Sequence, residues 1–125
     1  SVHTVEPEDF DDTARSLRSG TRECIDDSAR SICDALLAPM PGELTFAINR
    51  QLLGDGLTVS DAEVRVAMRF AFQHLKLVVE PGGAVALAAV LAGKIDTTGK
   101  TTAVVLSGGN VDVGLFAEIQ REESG

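Results

Sequence analysis

Two glycine-bearing turns stand out as places where chemistry could be done. In "TTAVVLSGGNVD", residues 101–112, an apolar run stops at Ser107, Gly108, Gly109 and Asn110; in "KLVVEPGGA", residues 76–84, a second run ends at Glu80 before Pro81, Gly82 and Gly83. Glycines let a backbone come close to a ligand, and Ser and Asn each offer a donor and an acceptor. Each turn also has a plainer reading. Asn110 or Asp112 could cap a closing helix, and Glu80 could be a carboxylate at a helix N-terminus. Two such turns at strand ends of one parallel sheet point instead to a shared small-molecule pocket, because open α/β sheets bind ligands beyond the carboxyl ends of their strands.

A third stretch, "VEPEDFDD", sets Glu6, Glu8, Asp9, Asp11 and Asp12 close together. Carboxylate and carbonyl oxygens are what a hard divalent cation takes, although an acidic run can equally be a solvated loop. Cys24 and Cys33 have no second pair and no His at ligand spacing, so a zinc site is not expected and reduced thiols in a cytoplasmic protein are. His3 and His74 lack arranged partners.

The elements that must position these residues alternate. Residues 2–5 read as a strand stopped by Glu6 and Pro7. Asp12 or Thr13 caps a helix that Gly20 ends, and 21–30 read as irregular. "SICDALLA", residues 31–38, is a helical turn or a buried extended piece. "ELTFAINRQLL" reads as a helix burying Leu44, Ala47, Ile48 and Leu52 and stopped by Gly54. "LTVS" is a strand, and Ser60 with Glu63 has capping-box spacing for a helix that runs to about Leu75 and buries Val64, Ala67, Met68, Ala71, Phe72 and Leu75. Residues 76–80 read as strand or extended, 82–92 as an all-apolar buried helix, 102–106 as a strand apolar on both faces, and 113–121 as a closing helix. This order gives an α/β fold with a mostly parallel sheet and flanking helices.

Composition bounds the partners. The chain has 125 residues, enough for one domain, and a formal net charge of −8, which excludes a clustered positive field for nucleic acid or an anionic membrane surface. Its longest apolar stretch, residues 82–93, is too short to span a bilayer.

"VEPEDFDD", "SICDALLAPMPGELTF", "LTVSDAEVRVAMRFAFQHLKLVVEPGGAVALAAVLAGK" and "TTAVVLSGGNVD", in this order, resemble the C-terminal part of the pyridoxal-phosphate (PLP)-dependent serine/threonine dehydratases and serine racemases. The resemblance implies a portion, residues 1–125, of the large cofactor-binding domain of the tryptophan-synthase-β-like fold. It implies PLP as cofactor, with Ser107 on the pyridine nitrogen, Gly108 beside it and Glu80 close to the ring. A neutral hydroxyl, unlike a carboxylate, does not hold that nitrogen protonated, which suits β-elimination over transamination. It further implies a Mg, Ca or Mn site formed by Glu6, the carbonyl of Phe10 and Asp12, and it offers Lys76 and Asn110 as candidate contacts to a nucleotide effector at a subunit interface.

The family's Schiff-base lysine and glycine-rich phosphate loop belong upstream of Ser1, and Lys76, Lys94 and Lys100 lack that lysine's context. The chain alone is therefore expected to be inactive, exposing apolar surface and associating, within a homo-oligomeric parent that deaminates L-threonine or L-serine to a 2-oxo acid and ammonia. Ala38 stands where the racemase has a serine near the substrate, which favours the dehydratase. The short stretch after Asn110 favours an enzyme of catabolic type, without a regulatory domain. The alternatives are a racemase, a dehydratase of a related hydroxy amino acid, and a non-catalytic interaction module.

Overall fold

In the computed structural model, which describes residues 1–122, the N-terminal strand β1 (Val5–Pro7) pairs in parallel with β2 (Leu57–Val59), Val5 against Leu57 and Pro7 against Val59. The first strand thus starts later than its sequence pattern predicts and takes in Pro7. A residue with no N–H is tolerated here because β1 pairs along one edge only.

The helix α1 (Asp12–Ser19) ends as expected on Gly20 in the left-handed region, φ 77°, whose N–H returns to the Ser16 carbonyl. Its start differs from expectation. Neither Asp12 nor Thr13 caps it; the Glu6 carboxylate takes the N–H groups of Thr13 at 3.0 Å and Ala14 at 2.8 Å. "SICDALLA" resolves as a short 3-10 turn at Asp34–Leu36. The loop before it is latched by Asp61, which accepts from the Ser31 hydroxyl at 2.6 Å and the Ile32 N–H at 3.0 Å.

The helix α2 (Glu43–Leu52) forms where predicted but buries Phe46 instead of the expected face. Leu44 and Leu52 are 75% and 73% exposed, and Ile48 is half-exposed. Helical spacing shows that these side chains share a stripe; it does not supply a surface to cover it.

The centre of the structure is the packing of α3 (Asp61–Phe70) on α4 (Pro81–Leu91). The capping box that starts α3 is complete: Ser60 Oγ accepts from the Glu63 N–H and Glu63 Oε2 from the Ser60 N–H. Val64, Ala67, Met68 and Ala71 are buried with Ala84, Leu87 and Ala88 of α4, Val59 and Ile119. Phe72 and Leu75, expected inside, are 43% and 45% exposed, because the helix loosens into a π-turn at Ala71–Leu75. That turn closes on Lys76 in the left-handed region at φ 60°. The helix α5 (Val113–Arg121) is capped by Asp112, whose carboxylate accepts from the Leu115 N–H at 2.8 Å. It is held to α3 by ion pairs from Arg65 to Glu118 and from Arg69 to Glu122.

Residues 76–80, expected as strand or extended, form no strand: Lys76 is left-handed and Glu80 is extended. Residues 102–106 do not form the expected strand either. Val105 is 72% exposed. A strand is assigned by its ladder, and no described segment pairs along the length of 102–106. No described helix is long and apolar enough to cross a membrane.

Candidate functional site

The two glycine turns meet. The π-turn and the left-handed Lys76 reverse the chain after α3, so that residues 77–80 run back and deliver Glu80 as the residue preceding α4, with Pro81 in the first helical position, where its missing N–H is not needed. Residues 101–107 bring Ser107 alongside. The Glu80 N–H donates to the Gly108 carbonyl at 3.0 Å, and Glu80 Oε2 accepts from the Asn110 N–H at 2.9 Å. The Glu80 side chain makes no capping bond to α4, so the plainer reading of that residue is displaced: its carboxylate faces the partner turn.

The glycines are required by this approach. A Cβ on Gly83 would lie 2.7 Å from the Gly108 carbonyl oxygen, one on Gly109 2.7 Å from the Val78 carbonyl oxygen, and one on Gly108 2.7 Å from Glu80 Oε1. Ser107, Gly108 and Glu80 are therefore brought into one place, with the exposed Ser107 hydroxyl hydrogen-bonded to no other described residue. A free hydroxyl on a turn whose backbone is pinned from both sides can be presented to a ring nitrogen, and the turn fits the pyridine end of PLP in that respect.

The other expected groupings are less complete. Lys76 Nζ donates to the Gln73 carbonyl at 2.7 Å, and no hydrogen bond joins it to Asn110, although its segment and Asn110 both lead to Glu80. In the acidic loop, Glu6 acts first as the cap of α1. Asp12 is 5% exposed, and burial, then the neighbouring Glu6 charge, raise its carboxyl to about 6. Phe10 is buried. Among the described residues no group of three or more His, Cys, Asp or Glu side chains gathers as a metal site. Glu6 gives both its oxygens to the α1 amides, so the divalent-cation site expected at Glu6, the Phe10 carbonyl and Asp12 is not shown by the described residues.

Sequence reasoning missed Asp61, read only as part of a helix start. By latching residues 31 and 32 it anchors the chain that leads into the 3-10 turn, whose Ala35 and Leu36 lie 3.4 Å from a Cβ placed on Gly82. It therefore links the loop carrying Ala38 to the start of α4. The partners are about thirty residues apart and no local pattern encodes them. Cys33 is fully buried and its thiol is pushed up to about 11 by desolvation, as a core residue and not a nucleophile.

This architecture is an α/β one, a small parallel sheet flanked by helices that bring two glycine turns together. Residues 1–108 match the family described as pyridoxal-phosphate dependent enzymes, and the chain belongs to it. It is 40% identical over 118 residues to the L-threo-3-hydroxyaspartate ammonia-lyase of Pseudomonas sp, covering 94% of this chain and 37% of that protein. It is 37% identical over 116 residues to the serine racemase of Schizosaccharomyces pombe, covering 93% of this chain and 36% of that protein. The solved structure of a threonine deaminase from T.th. superposes with a TM-score of 0.81 at 41% identity, over 89% of this chain and 37% of that one. The chain thus spans little more than a third of the length of these relatives, and its fold is of the tryptophan-synthase-β-like PLP kind.

Proposed function

We propose that this chain contributes the pyridine end of the cofactor site to a PLP-dependent ammonia-lyase that deaminates L-threonine or L-serine to a 2-oxo acid and ammonia. The observation that carries the reading is the junction of the two turns. Glu80 fastens the backbone on both sides of Gly109 and leaves the Ser107 hydroxyl free. When bound, PLP supplies the electron sink that acidifies the substrate α-proton and lets the β-hydroxyl depart. With PLP bound, Ser107 would donate a hydrogen bond from its hydroxyl to the ring nitrogen without protonating it, which would moderate that sink. Glu80, which holds the turn, would then lie close to the ring.

On this reading the lysine that carries the cofactor and the loop that binds its phosphate lie outside residues 1–125, and the chain alone is inactive. The positions of its own lysines support this. Lys76 is bonded to Gln73, Lys94 pairs with Glu63 at 2.9 Å, and Lys100 donates to the Asp96 carbonyl at 2.8 Å. A Mg, Ca or Mn ion held by Glu6, the Phe10 carbonyl and Asp12 would neutralise the buried Asp12 charge and order the start of α1. A cytoplasmic homo-oligomer is consistent with the free thiols and with the exposed Leu44 and Leu52.

The 40% identity to a hydroxyaspartate ammonia-lyase favours L-threo-3-hydroxyaspartate as the second substrate reading. The whole protein containing this chain, supplied with PLP, is assayed for 2-oxo acid from L-threonine, L-serine and L-threo-3-hydroxyaspartate and for D-serine from L-serine. Oxo acid from threonine or serine is the expected product. Oxo acid from hydroxyaspartate alone moves the substrate, D-serine as the main product replaces lyase by racemase, and no product from any of the three overturns the proposal.

A further inference from the structure

We propose that Glu80 is a positioning residue whose backbone N–H and carboxylate together fix the Ser107–Asn110 turn, so that the setting of the Ser107 hydroxyl depends on an acceptor at position 80. The inference rests on the reading of Ser107 as the partner of the ring nitrogen, and it adds the residue through which that hydroxyl is set.

One residue makes both links. Its N–H holds the Gly108 carbonyl at 3.0 Å, and its Oε2 takes the Asn110 N–H at 2.9 Å, so the turn is gripped before and after Gly109. The contact surfaces agree. Gly108 offers no side chain to obstruct Glu80 Oε1, Gly109 lies against the Val78 carbonyl, and Gly83 lies against Gly108. Glu80 is itself fixed, since it precedes Pro81 at the start of the buried α4, in extended backbone at φ −75° and ψ 161°. Ser107 has no bond of its own to any other described residue, so its direction follows from the turn that Glu80 holds. An acceptor oxygen at the length of the Glu side chain is what the Asn110 N–H needs; the amide oxygen of Gln supplies it, and Ala does not.

Two measurements separate this inference from the reading beneath it. The first is amide hydrogen exchange of the chain without cofactor, as wild type, Glu80→Gln and Glu80→Ala. Glu80→Ala is expected to speed exchange at the Asn110 amide by about tenfold, the value of one lost hydrogen bond, with the amides of α3 and α5 unchanged; Glu80→Gln stays within about threefold of wild type. Equal Asn110 exchange in wild type and Glu80→Ala overturns the inference. The second is the pH titration of the PLP absorbance in the whole enzyme for the same variants and Ser107→Ala. The inference expects Glu80→Ala to shift that titration in the same direction as Ser107→Ala, with Glu80→Gln restoring it. A shift for Ser107→Ala with none for Glu80→Ala overturns the inference. No shift for Ser107→Ala overturns the underlying reading, while the exchange result still decides whether Glu80 grips the turn.

Discussion

Gly82 and Gly83 are neighbours in the first turn of α4, and the structure assigns opposite outcomes to filling them. A Cβ at position 82 would meet Ala35 Cβ and Leu36 Cγ at 3.4 Å, an ordinary contact, whereas one at 83 would meet the Gly108 carbonyl oxygen at 2.7 Å and its nitrogen at 2.9 Å. Both replacements gain up to about 1 kcal/mol from the helix propensity of Ala over Gly, so that gain cancels between them. What remains is the clash. The carbonyl must retreat by about 0.7 Å to reach ordinary contact, and taken along the Glu80 N–H to Gly108 bond, 3.0 Å long, this carries it beyond hydrogen-bonding distance. Overpacking costs about 1–3 kcal/mol and a lost hydrogen bond about 1, so Gly83→Ala should be less stable than Gly82→Ala by about 2–4 kcal/mol. Denaturant unfolding of the wild type and both variants, monitored by far-UV circular dichroism, gives that difference directly. If Gly83→Ala proves within about 0.5 kcal/mol of Gly82→Ala, the close approach of the two turns is wrong, and with it the placing of Ser107 beside Glu80.

The proposed cation site predicts that Mg²⁺ or Mn²⁺ raises the melting temperature of the wild-type chain and that Asp12→Asn abolishes the rise; an equal rise in both, or none in wild type, read by differential scanning calorimetry, refutes it. Ser60→Ala should cost about 1 kcal/mol by opening the capping box. Burial alone would raise the Glu63 carboxyl, but the Ser60 N–H and Lys94 outweigh it and hold the group below the ordinary carboxylate range. Its contribution is therefore full above the unfolded pKa and lost as pH falls through the lower folded value; a Glu63→Gln variant should lose less stability between pH 6 and 3, in about that range, than wild type does. Replacing Leu44 and Leu52 by Gln should change unfolding free energy by less than about 0.5 kcal/mol, because both are exposed, while weakening self-association in sedimentation velocity if the α2 face joins copies of the chain.

What was legible in the sequence was what neighbouring residues decide among themselves. Ser60 and Glu63 are three apart and cap their helix by exchanging bonds, and Asp112 caps the helix that begins beside it. The apolar run from Pro81 was readable as buried because it has no polar face to show. Spacing failed where the deciding partner lies on another element. Glu6 takes the amides that Asp12 or Thr13 was expected to cap, Asp61 reaches back to Ser31, and the stripe on α2 has the period of a buried face but no described surface over it. Residues 102–106 have the composition of a central strand and lack the ladder that would make them one. The candidate site divides along the same line. Both turns could be recognised by their glycines, since a backbone that must approach something closely needs residues without a Cβ. That the nearest thing each approaches is the other turn could not be read from either alone, because Glu80 and Asn110 are thirty residues apart. The glycines thus let Glu80 close on the turn that carries Ser107, so a substitution there perturbs the junction of the two turns directly.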